Sequence, residues 1–237
     1  MNNVKVCILN HYTRDCSKLL ERVKSLGCDV EVFTDTTNYY QKRNENRYLG
    51  LNHNVLSCLE HECEQEWKLI IHDDLIFDDK LFENIEYVLQ FAPKTFVSFF
   101  NPRNQTYRNV NAKGKHVLKA FIKFWPQCMA FNSKEIPELV DFFYEHSDMG
   151  KISEDTIMVR YLSEYKIRMY GIVPSLVQHD LEDKSVCGNG PMIGKNRRDS
   201  ELYNPDFDPK EIDWIKEFED PVIDNKLYLD NKGIKNL

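Results

Sequence analysis

The residues best suited to chemistry are a histidine and two acids directly behind an apolar run. Residues 67–71 (WKLII) lead straight into His72-Asp73-Asp74. Two adjacent carboxylates after a buried strand repel each other and require a compensating cation or hydrogen-bond donors. Side chains alternate along an extended backbone, so His72 and Asp74 point one way and Asp73 the other. That pattern suits Asp74 to a divalent cation and Asp73 to a ribose or sugar hydroxyl. It equally suits a plain turn in which Asp74 or Asp78 starts the next helix as its N-cap. His179 closes the run GIVPSLVQH behind another apolar stretch and is followed by Asp180. Ser153-Glu154-Asp155 opens a helix after Gly150, where an N-cap serine and two acids facing the helix dipole account for the same residues without chemistry. Residues 188–203 (GNGPMIGKNRRDSELY) combine glycines with Lys195, Arg197 and Arg198. This is the composition of a lid over an anion, or of a solvated basic loop.

These groups need elements to hold them. Strands are predicted over 4–9, 29–33, 67–71, 95–100, 127–131 and 167–173, and helices over 15–26, 52–64, 79–91, 134–146 and 153–165. The 67–71 run is continuously apolar, as in a central strand covered on both faces. Such alternation predicts a single α/β domain with a largely parallel central sheet and helices on both faces. Ligands of open α/β sheets bind beyond the carboxyl ends of the strands. That rule singles out Asn10-His11, Thr34-Asp35, His72-Asp73-Asp74, Asn101 and His179. The stretch after residue 100 reads as a long polar loop. After Asp180, turn formers and charges dominate, with a short helix near 211–218. The expected division is a core over 1–180 and a basic lid loop with a C-terminal tail packed on the core over 181–237.

The 237 residues are 42% hydrophobic and 12% aromatic, which supplies a sizeable core and excludes wholesale disorder. Lys and Arg number 31 against 38 Asp and Glu, a net charge of −7. No global field for nucleic acid results, although Arg103, Arg108 and the stretch 113–123 (KGKHVLKAFIK) could track a phosphate backbone locally. No apolar run approaches the ~18 residues of a membrane span. The first residues lack the basic-then-apolar pattern of a signal peptide. The 7 cysteines are scattered without a paired CxxC, which predicts reduced thiols and a cytoplasmic location. Cys58, His61 and Cys63 fall on one predicted helix and read as its surface, not as a metal site.

The His72-Asp73-Asp74 segment resembles the acidic motif of GT-A fold glycosyltransferases, written DxD or, in the lipopolysaccharide-type enzymes, EDD; here histidine takes the place of the first acid. Residues 174–179 (PSLVQH) are similar to the Pro-Ser-Leu-x-x-His segment of many of these enzymes, where in some the histidine completes a metal site. The resemblance spans residues 4–179 and rests on the order of elements and short motifs. It implies a nucleotide-sugar donor and Mn2+ (or Mg2+) held by Asp74 and His179, with His72 as a further candidate ligand. It implies that Asn10, Tyr12, Arg14, Asp35, Asn52 and Asp73 bind the donor. Tyr12 would stack on the base and Arg14 would meet a phosphate. Lys195, Arg197 and Arg198 would close on the diphosphate, and Asp155 or Glu154 would act as base or hold the acceptor. The implied acceptor is a saccharide hydroxyl or, as in phage glycosyltransferases, a hydroxymethylated base of DNA. Two alternatives stand beside this: a non-catalytic nucleotide-sugar-binding module, to which His72 points, and a metal-dependent phosphohydrolase using the same acids.

Overall fold

Alternate side chains of the first strand enter two different cores. Along β1 (Val4–His11), Val4, Val6 and Ile8 join one hydrophobic cluster, whereas Cys7 and Leu9 join a second. The same division runs through β3 (Trp67–His72), with Trp67, Leu69 and Ile71 on one face and Ile70 on the other. Strands buried on both faces in this way lie between two helical layers. In this computed structural model the described residues are 3–37, 48–101, 105–120, 127–146, 150–180, 200 and 202–224.

Three helices supply the first layer: α1 (Ser17–Ser25), α3 (Leu81–Leu89) and α7 (Trp214–Glu219), through Val23, Phe82, Ile85, Trp214 and Phe218 among others. The second layer is α2 (Leu49–Glu60), α4 (Gln105–Ala112), α5 (Ile136–His146) and α6 (Glu154–Glu164). Among the described residues, no helix is long and apolar enough to cross a membrane.

The remaining strands are β2 (Asp29–Asp35), β4 (Leu75–Phe77), β5 (Phe96–Ser98), β6 (Val117–Ala120), β7 (Cys128–Asn132), β8 (Met169–Ile172), β9 (Val177–His179) and β10 (Val222–Asp224). Eight strands form one sheet in the order β10-β6-β8-β5-β7-β3-β1-β2, and β4 and β9 form a separate ribbon. The pairs β1–β2, β1–β3, β5–β8 and β6–β10 are parallel. The pairs β3–β7, β5–β7 and β6–β8 are antiparallel. The domain is therefore α/β with a mostly parallel, mixed sheet.

Several expectations are corrected. The stretch after residue 100 is not simply a loop: Tyr107 and Val110 bury one face of α4, and Val117, Leu118 and Ala120 bury β6. Near the C-terminus the helix begins at Trp214, where the side chain of Asp213 accepts from the Lys216 N–H. Strand β10 then adds an edge to the sheet. Helix α2 stops at Glu60, so His61 and Cys63 are not on it, and Cys58 is buried. Its end is set by Lys68, whose buried ammonium donates to the carbonyls of Cys58, Leu59 and His61 at 2.8, 2.7 and 2.7 Å. The Cys58 and Leu59 carbonyls are among those a helix terminus leaves without an internal partner. His179 does not end a strand of the main sheet. It lies in the ribbon, opposite Leu75.

Candidate active site

Strands β1 and β3 run parallel with Leu9 opposite His72, so their carboxyl ends deliver residues 10–14 and 72–74 side by side. The Asp73 N–H donates to the Leu9 carbonyl at 3.1 Å, and the His11 N–H donates to Asp73 Oδ2 at 3.0 Å. A tight turn, in which the Arg14 N–H donates to the His11 carbonyl at 2.8 Å, folds Arg14 back over the acids. Arg14 Nη1 lies 2.5 Å from Asp73 Oδ1 and 3.0 Å from Asp74 Oδ2. From the other side, His179 Nε2 lies 3.2 Å from Asp74 Oδ2. All four side chains are largely withdrawn from solvent, at 15% exposure for Arg14, 6% for Asp73, 10% for Asp74 and 3% for His179.

His179 is held between two oxygen partners. Nδ1 lies 3.0 Å from the Asp180 carbonyl, which can only accept, and Nε2 faces a carboxylate, which also accepts when ionised. Each ring nitrogen thus faces an oxygen acceptor. Burial pushes the Asp74 carboxyl upward, but the His179 hydrogen bond and the charges of His179, His72 and Arg14 outweigh it and hold the group well below the usual carboxylate range. Burial likewise works against the Arg14 charge, and the Asp74 and Asp73 carboxylates more than restore it. The His72 imidazole is pushed down by burial, and its Nε2 is buried without a hydrogen-bond partner, as is Asp74 Oδ1.

A second polar pocket adjoins at the end of β2. Asp35 Oδ1 accepts from the Thr37 N–H at 2.8 Å and from the Thr37 hydroxyl at 2.7 Å, while its Oδ2 is buried without a partner. Tyr12 N–H donates to the Asp35 carbonyl at 3.0 Å, and the Tyr12 ring, 47% exposed, leans on the His11 ring with centroids 4.7 Å apart. Asn10 donates weakly to Thr34 Oγ1 at 3.5 Å, and its Oδ1 is buried without a partner. Helix α2 closes the pocket at Gly50. A Cβ there would collide with Thr37 Oγ1 and both Asp35 carboxylate oxygens. Asn54 ties the helix down by donating to the Phe33 carbonyl at 2.9 Å and the Asn10 carbonyl at 3.3 Å.

Asn52 is fully buried and donates to the Ile152 carbonyl at 2.8 Å, joining α2 to the segment that opens α6. At that opening Glu154 and Asp155 are buried, and Asp155 Oδ1 accepts from the Ser153 hydroxyl and from Thr156 Oγ1. Lys195, Arg197 and Arg198, with the glycines at 188, 190 and 194, lie outside the described residues, as do Arg103 and Lys123. Within the basic stretch, Lys115 pairs with Asp220 at 2.9 Å and Lys119 sits over the Tyr170 ring at 5.3 Å. Those two charges serve the packing of the C-terminal segment and of β8. Sequence reasoning did not single out Thr37 or Asn54. The Asp-x-Thr turn at 35–37 is a signal that could have found the first.

The divalent cation that the resemblance implies does not fit this arrangement. Among the described residues, no three His, Cys, Asp or Glu side chains form a group able to hold a metal ion. Arg14 Nη1 bonds to both carboxylates, and His179 Nε2 is already engaged with Asp74 Oδ2.

What the fold and this site define is an α/β domain with a charge-compensated acidic cluster at the carboxyl ends of its central strands. No protein-family model matches the chain, and no curated protein sequence does. Among solved structures, it is similar to a glycosyltransferase involved in glycosylation of the major capsid of PBCV-1, at 9% identity and a TM-score of 0.35, over 68% of this chain and 76% of that one. It is similar to a mutant Drosophila β-1,4-galactosyltransferase 7 in complex with manganese, UDP-Gal and xylobiose, at 11% identity and 0.35, over 87% and 78%. A third is the inositol-1-phosphate CTP transferase from T. maritima, at 9% and 0.37, over 93% and 78%. At these identities and TM-scores the likenesses carry no functional weight, and function rests on the geometry.

Proposed function

We propose that the chain is a GT-A-like transferase that moves a sugar from a nucleotide-sugar donor to a hydroxyl acceptor. One observation carries the reading. The buried Asp73–Arg14–Asp74–His179 cluster and the Asp35–Asn10 pocket share a single strand-end edge, joined through residues 10–14. That edge is where open α/β sheets bind nucleotides. The two halves suit the two ends of a nucleotide sugar. Beside Asp35 and Asn10 the exposed Tyr12 ring offers a face for stacking a base. In the cluster, Arg14 faces the diphosphate and Asp73 orients a sugar or ribose hydroxyl. The start of α6, fastened to α2 by Asn52, offers Asp155 or Glu154 as base or as acceptor-orienting group. Lys195, Arg197 and Arg198 would share the charge of the diphosphate. A saccharide hydroxyl is the acceptor we favour, because Lys115 and Lys119 have partners within the fold instead of forming a row for phosphates.

The test is a thermal-shift panel of nucleotide sugars followed by product analysis with simple saccharide acceptors. A ligand at 100 times its dissociation constant adds about 2.7 kcal/mol to stability, a readily measured shift. Transfer of the sugar with release of nucleoside diphosphate supports the reading. Plain hydrolysis would replace it with a phosphohydrolase, binding without turnover with a silent module, and no shift with any nucleotide sugar would remove it.

A further inference from the structure

We infer that Arg14 is a resident counter-cation standing where a divalent metal would otherwise bind, so that this site meets a diphosphate without a metal ion. The diphosphate half of this inference rests on the nucleotide-sugar reading above; the counter-cation half does not.

Three of the four oxygens of the acidic pair are already engaged. Asp73 Oδ1 is bonded to Arg14, Asp73 Oδ2 accepts from the His11 N–H, and Asp74 Oδ2 faces both Arg14 and His179. Asp74 Oδ1 is the oxygen left without a hydrogen-bond partner, and it is buried. Mg2+ demands near-octahedral oxygen ligation, and manganese sites are likewise rich in carboxylate, carbonyl and water oxygen. One remaining oxygen is a poor start. A dication entering this largely buried cluster would have to expel Arg14, which bonds to both carboxylates.

Arg14 is held by the fold, not by chance contact. The β1–β3 register, with Leu9 opposite His72, brings the His11 N–H to the Asp73 carboxylate, and the turn from His11 to Arg14 returns the guanidinium to both acids. The two carboxylates therefore act as positioning residues for a planar donor fork, a geometry that matches phosphate oxygens and that lysine or a point charge does not reproduce.

The experiment titrates Mn2+ alone into the full chain by calorimetry and by the manganese resonance signal. Wild type is expected to show no site tighter than about 1 mM, while Arg14→Gln, which uncovers the carboxylates, is expected to bind at least about tenfold tighter. Arg14→Lys keeps the charge and is expected to behave as wild type. A single tight Mn2+ site in wild type overturns the inference whatever the variants do, and so does a folded Arg14→Gln protein with no gain. If Arg14→Gln fails to fold, the wild-type titration and Arg14→Lys still decide. A parallel arm measures UDP, GDP, CDP and ADP binding with EDTA and with Mn2+. Equal affinity in both buffers supports the inference, and binding lost in EDTA overturns it. No binding in either buffer instead sinks the nucleotide-sugar reading, and the Mn2+ titration alone then judges Arg14.

Discussion

His179 meets Asp74 because the ribbon beside the main sheet pairs Leu75 with His179 in register, which sets the imidazole next to the acid one residue earlier. The same ribbon is clamped by the Asp180 N–H, which donates to the Asp74 carbonyl at 2.7 Å. The approach of the two side chains is thus a consequence of backbone pairing. The Asp74 carboxylate consequently sits between an imidazole on one flank and a guanidinium on the other, with little water to screen either.

That setting makes Asp74 a stability determinant with a definite pH signature. Its carboxyl is held below the usual range, so the group contributes stability above about pH 4, and that contribution is lost as pH falls through the depressed native value. Removing one partner of a buried pair typically costs about 3–5 kcal/mol. Urea denaturation should show Asp74→Asn less stable than wild type by about 3 kcal/mol near neutrality, with the gap closing toward about pH 2. A gap that stays constant over that range would contradict the account.

Gly50 should tolerate no side chain. In Gly50→Ala the new methyl meets the Asp35 carboxylate and the Thr37 hydroxyl, so these side chains must turn away, breaking their mutual hydrogen bonds, or the start of α2 must shift. Overpacking of this kind costs about 1–3 kcal/mol, to be read from the melting temperature. Nucleotide affinity, if the proposed site is correct, should fall with it.

Lys68→Met keeps the unbranched apolar stem of the buried side chain but abandons the three carbonyls at the end of α2. Leaving buried acceptors unsatisfied should cost about 1–3 kcal/mol. Hydrogen exchange should accelerate over the last turn of α2, while the amides of β1 stay protected.

Tyr12→Ala separates binding from folding. The ring is 47% exposed, so the melting temperature should hardly change. If Tyr12 stacks on the base, nucleoside diphosphate affinity should drop about tenfold, the low end of what base–aromatic stacking contributes. Unchanged affinity would move the base elsewhere in the cleft.

Much of the architecture was legible locally. The apolar run at 67–71 announced a strand buried on both faces, and β3 is one, between β1 and β7. The carboxylates following it could be recognised as needing compensation. Other features left only weak marks. Helix α4 buries little besides Tyr107 and Val110, and in a stretch rich in Asn, Arg and Lys so narrow an apolar stripe is hard to tell from a loop.

What the sequence by itself determined is the kind of each strong element and the types of residue gathered at strand ends, because alternation and apolar runs record burial one segment at a time. It could not determine which segments become neighbours. That β7 enters antiparallel between β3 and β5, that β10 closes an edge, and that β4 and β9 leave the sheet as a ribbon are products of long-range pairing. The compensation of Asp73 and Asp74 belongs to the same class. Whether a cation, a backbone N–H or an arginine answers two carboxylates depends on ångström-scale distances. Those distances arise only once register and turn have brought Arg14 and His179 to the same pair.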